Sequence, residues 1–135
     1  MPLITEPLIY QNKIIIVEAI IEGPLQLHKV TLGLDTGYSM TCIRPGYLET
    51  AGFDFSKLPS VTITTGSTKG VEKGVDVPLS SFQFMGKTLP RLRVCAMRLP
   101  AALYYLDGLL GNDFFLVSRT THTLDFKNRL ISLSY

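Results

Sequence analysis

The chain has 135 residues, 46% of them hydrophobic and 18% charged, with a formal net charge of +2. That is the balance of one globular domain with a real core, spanning residues 1–135, and the small charge offers no footprint for nucleic acid or an anionic membrane. No apolar run approaches the roughly 20 residues that cross a bilayer, and Met1-Pro2-Leu3-Ile4 lacks the basic-then-apolar order of a secretory signal.

Strand signals dominate in chain order. Residues 13–21 are rich in isoleucine and valine, Glu22-Gly23-Pro24 is turn chemistry, and residues 25–34 alternate in part as a return strand. Residues 40–43 form another short apolar run. Pro45 can open a helical turn that Gly52 stops. Residues 61–65 and 71–77 are β-prone arms around Gly66, Ser67, Thr68, Lys69 and Gly70, which reads as a hairpin with an open tip. Gly74 within the second arm suggests a bulge or bend. Residues 79–85 and 89–97 read as a strand pair turned at Gly86-Lys87. Asp107 is placed as the N-cap of a helix over residues 107–116, and residues 121–133 read as a closing hairpin. Many short strands with little helix predict a closed all-β barrel.

The chemistry is concentrated at Asp35-Thr36-Gly37, which follows the apolar run Val30-Thr31-Leu32-Gly33-Leu34. An acid leaving an apolar strand must be hydrated, paired or put to use, because an unpaired buried carboxylate is costly. Thr36 offers a hydroxyl beside it. Gly37 admits backbone angles closed to other residues and leaves room for a ligand. Far downstream stands Asp107-Gly108-Leu109-Leu110-Gly111-Asn112-Asp113-Phe114-Phe115. Phe114 and Phe115 read as core. Cys42 and Cys95 read as reduced thiols in apolar strands. His28 and His122 have no nucleophile or ligand set around them. No metal and no cofactor is expected, and the expected setting is cytoplasmic.

Together the two segments make the chain resemble the retropepsin-like, single-domain aspartic proteases. Asp35-Thr36-Gly37 matches their acid loop. Leu109-Leu110-Gly111 matches their later pair of apolar residues and glycine, opening a short helix. The resemblance covers roughly residues 14–133. It implies a six-stranded type of closed acid-protease barrel with one short helix, one barrel per subunit. It also implies an aspartic endopeptidase that hydrolyses peptide bonds. Only one Asp-Thr-Gly is present, and two carboxylates must share a proton for this chemistry. The second must therefore come from a second copy, and a homodimer with Asp35 on its two-fold axis supplies it. By the same resemblance Thr36 braces the two loops across the axis, Gly37 admits the substrate backbone, and Leu109, Leu110 and Gly111 support the loop from beneath. Residues 66–70 take the place of a flap over an extended peptide.

The chain departs from that pattern at three positions. Tyr38 stands where a small residue is usual and narrows the cleft. Ser39 and Asn112 stand where retroviral members carry an ion pair, and are expected to lie close together. The alternative to an enzyme is a catalytically inactive protein-interaction module on the same fold. A small nucleic-acid-binding barrel is disfavoured by the absence of a basic, aromatic stripe.

Overall fold

The computed structural model describes residues 2–64 and 71–135. Five strands open the chain: β1 (Leu3–Pro7), β2 (Ile9–Gln11), β3 (Ile14–Glu22), β4 (Leu27–Leu34) and β5 (Cys42–Ile43). A short helix, α1 (Pro45–Thr50), begins on a proline, whose missing N–H costs nothing at a helix start. Then come β6 (Ser60–Thr64), β7 (Val71–Pro78), β8 (Ser81–Phe84), β9 (Lys87–Pro90), β10 (Arg93–Ala96), β11 (Gly108–Leu110), α2 (Asp113–Ser118), β12 (Thr121–Asp125) and β13 (Leu130–Ser134).

The main sheet runs β6-β7-β10-β5-β11-β4-β3-β8-β9, with β2 pairing onto β3. Its end strands β6 and β9 do not pair with each other, so the sheet curls but stays open. The expected closed six-stranded barrel with one short helix is therefore wrong: the fold is an open nine-stranded sheet with two short α-helices among the described residues. The cause is local. Residues 89–97 are not one strand, because Arg91 takes a left-handed backbone (φ 62°) and breaks the run. β9 stays on β8, while β10 leaves for β7 and β5 near the opposite end of the sheet.

A second correction concerns residues 107–116. Residues 108–110 are a strand, β11, and α2 begins only at Asp113. Asp107 caps no helix. Its carboxylate accepts the Thr31 amide at 2.8 Å and its own amide donates to the Thr31 carbonyl at 2.7 Å, tying the chain to β4. A third correction is that Gly74 produces no bulge; it sits in register opposite Val61.

The terminal strands make a separate sheet in the order β1-β13-β12. The core lies between the sheets and α2. β3 buries Val17, Ala19 and Ile21 on one face and exposes Glu18 and Ile20 on the other, the two-residue period of a strand. Phe82 and Phe84 of β8 pack against Phe114 with ring centroids 5.5 and 5.4 Å apart, and Phe84 also meets Phe115. Each such buried ring contributes about 1.5–3 kcal/mol. These contacts hold α2 beneath the loop that follows β4. No helix among the described residues is long and apolar enough to cross a membrane.

Candidate active site

β11 lies between β4 and β5. It pairs parallel to β4 through Gly108–Leu110 and antiparallel to β5 through Gly108 and Leu109. β4 and β5 are consecutive in the chain, so the loop joining them, residues 35–41, must arch over the end of β11. Asp35 thus sits where β11 gives way to Gly111. Its amide donates to the Leu110 carbonyl at 2.9 Å, which pins the start of the loop to that strand.

Within the loop, the Gly37 amide donates to Asp35 Oδ1 at 2.9 Å, and the Tyr38 amide to the Asp35 carbonyl at 3.2 Å. Gly37 does not adopt a left-handed backbone. Its role is one of space, because a Cβ there would stand 3.1 Å from Asp35 Oδ1. Asp35 itself is half-buried and lines a cavity of about 900 Å³. Thr36 and Gly37 are exposed beside it. Tyr38 is half-buried and packs against the cluster that holds Cys42, Cys95, Leu106 and Leu109.

The remainder of the loop is fastened to the segment after β11. The Asn112 amide donates to the Tyr38 carbonyl at 2.9 Å, and Asn112 Nδ2 donates to the Thr36 carbonyl. Asn112 thus reaches the acid loop through two of its carbonyls. Gly111 leaves no room for a side chain: a Cβ would lie 2.9 Å from the Tyr38 oxygen and 3.0 Å from the Met40 carbonyl carbon. Leu109 and Leu110 are buried on opposite sides of β11, Leu110 in the main core and Leu109 in the cluster under Tyr38.

Sequence reasoning passes over the pair that closes this frame. Thr41 is fully buried. Its hydroxyl donates to Asp113 Oδ1 at 2.7 Å and accepts from the Gly111 amide at 3.1 Å, while its amide donates to Asp113 Oδ2 at 2.9 Å. The Phe114 amide adds a third hydrogen bond to that carboxylate at 3.0 Å. The signal was available: Asp113, like Asp35, is an acid beside bulky apolar residues and needs a partner. What the local sequence lacks is the identity of that partner, 72 residues away.

Residues 66–70, expected to form the tip over the site, lie outside the described residues. The site is a carboxylate at a cavity edge, on a loop latched from both sides, with its neighbouring backbone exposed. That arrangement can present an acid to a ligand without moving it.

A scan against family models matches residues 17–114 to the family described as aspartyl protease. Among solved structures, the chain is similar to a retropepsin-like aspartic protease from Rickettsia conorii. That likeness has a TM-score of 0.69 at 20% identity and covers 99% of this chain and 92% of that one. None of the curated proteins matches this sequence.

Proposed function

The chain belongs to the aspartyl protease family, and on that premise we propose that it is a homodimeric aspartic endopeptidase with Asp35 of each copy as the catalytic pair. The carrying observation is the state of Asp35. It stands at the edge of a large cavity, and the one hydrogen bond to its carboxylate among the described residues comes from Gly37 within its own loop. Its acceptor capacity is therefore left for water, substrate or a second carboxylate.

In this reading the two carboxylates share one proton, because like charges at close range do not both ionise. The ionised one takes a proton from the attacking water. The protonated one polarises the scissile carbonyl and later returns its proton to the leaving amine. Thr36 braces the paired loops across the axis, and Gly37 lets the peptide backbone come near. Leu109, Leu110 and Gly111 hold the loop from below, and Tyr38 limits the width of the cleft.

The test is cleavage of a peptide library under mildly acidic conditions by the unaltered chain and by Asp35→Ala. Cleavage that vanishes in the variant, with specific activity falling on dilution as dimers dissociate, is the expected result. Peptide binding without cleavage by the unaltered chain would instead favour the interaction-module reading.

A further inference from the structure

The cavity that holds Asp35 has walls of two characters. Leu34, Leu109, Ile14 and Leu103 make an apolar surface. To the same lining, the turn between β2 and β3 contributes Lys13 and the turn between β12 and β13 contributes Arg129. Both cations are on the solvent-exposed side, and neither has a carboxylate partner among the described residues. Asp35 is the lone carboxylate among the described residues that line the cavity. Tyr10 and Phe126, 59% and 63% exposed, line the same cavity.

The two turns are unusual in the residues they use. Asn12 and Lys13 both have left-handed backbones, φ 51° and 66°, the pair of angles for which Asn-Gly is favoured in a two-residue hairpin. Arg129 has φ 55° immediately before β13, a turn position where glycine or asparagine is the easy choice. Arg91 and Arg119 share that backbone state, so it is the common cavity that joins Lys13 to Arg129. The Leu8 amide donates to the Arg129 carbonyl at 2.9 Å, which fastens the two ends of the chain into one wall.

We propose that Lys13 and Arg129 form a cationic subsite that selects peptides with a glutamate or aspartate close to the residue held at Asp35. The inference rests on the proteolytic reading for its reaction, but not for its recognition. The cavity of about 900 Å³ is large enough for several residues of an extended peptide. Its apolar wall takes the side chains near the scissile bond. The two cations take an acidic side chain, which a carboxylate reads through charge-assisted hydrogen bonds. Lys13 and Arg129 are thus specificity residues, and the hydrolytic step needs neither.

The experiment separates recognition from cleavage. A combinatorial peptide library is sorted for binding to the Asp35→Asn protein, and the peptides found are remade in pairs differing by Glu against Gln. Affinity is measured for Asp35→Asn alone and with Lys13→Gln, Arg129→Gln, or both replaced by Glu. Cleavage of the same pairs is measured with the active chain. The expected result is enrichment of acidic peptides and an affinity loss of about tenfold for the Gln partner, the size of one charge-assisted contact. The neutral variants should abolish that discrimination, the doubly acidic variant should turn it toward lysine, and added salt should weaken it.

The proposal is overturned if the bound peptides show no excess of acid or if no peptide binds. It is equally overturned if the variants weaken Glu and Gln peptides alike, which is what a role for these cations in dimer assembly produces. Acid-selective binding without cleavage by the active chain upholds the subsite and removes the proteolytic reading. Cleavage indifferent to acid does the reverse.

Discussion

Asp35 and Asp113 are the same side chain in two kinds of use. Both are half-buried, and both sit at the ends of one small structural unit: the loop after β4 and the helix start after β11. Asp113 accepts three hydrogen bonds, two from Thr41 and one from the Phe114 amide. Asp35 accepts one, from its neighbour Gly37. Burial does not separate them; the occupation of their oxygens does. A carboxylate whose lone pairs are filled by the fold holds chain segments together. One whose lone pairs are left open, on a loop that the first has immobilised, is available for chemistry. In this molecule the second condition depends on the first, because Thr41, Gly111 and Asp113 set the far end of the loop on which Asp35 stands.

The comparison predicts opposite failures. Asp35→Asn should lower kcat by about 10³-fold or more, since in the proposed reading it removes the general base. It should leave urea unfolding within about 0.5 kcal/mol of the parent chain, as for a residue with little structural partnership. A large loss of stability in that variant would break the distinction. Asp113→Ala should do the reverse in order of cause, costing about 2–4 kcal/mol in chemical denaturation because buried donors lose their acceptor. Activity should fall only as far as the folded fraction and loop position fall. A variant that kept full stability but lost cleavage would place Asp113 in the reaction instead.

Thr41→Val sharpens the point by keeping shape and removing one hydroxyl. The Gly111 amide and one Asp113 oxygen then lose a partner, and stability should drop by about 1–3 kcal/mol. Reading that loss beside Asp113→Ala in a double-mutant cycle should give strong non-additivity, since the two residues share their bonds.

The smallest expected effect is on pH. His122 stacks on Phe115 with centroids 4.0 Å apart, and its Nδ1 is buried with no hydrogen-bond partner among the described residues. Burial lowers its pKa below the ordinary 6.5. The unfolded chain therefore binds this proton more readily than the folded one. Stability from this group is complete above about pH 6.5 and is lost as pH falls toward the folded value. His122→Phe should flatten the thermal-unfolding profile between neutral and mildly acid pH while leaving Asp35 and its loop unaltered. An unchanged profile would show that the acid sensitivity lies in the carboxylates alone.

Much of the fold was legible where the signal is local. The β-branched run of β3, the turn at residues 22–24, the proline opening α1 and the closing β12–β13 hairpin each announce themselves within a few residues. So does the acid loop, since Asp35-Thr36-Gly37 at the end of an apolar strand is a self-contained pattern. Leu109-Leu110 was not legible in the same way. A short apolar run suits a buried strand or a buried helix turn, and periodicity does not choose between them. Nor was the break at Arg91, because a left-handed arginine carries no composition signal.

By itself, then, the sequence determined the strand-rich class, the acid loop and the neighbours that surround it. It did so because those depend on propensities and side-chain chemistry within a few residues. Only the tertiary structure decided that Leu109 and Leu110 run as a strand between β4 and β5, and that the sheet stays open. It also decided that Asp113 belongs to Thr41 and not to the solvent. Each of these is a choice of partner between segments distant in the chain. Such a choice is settled by which burial satisfies the most polar groups at once, a comparison that no single stretch of residues contains.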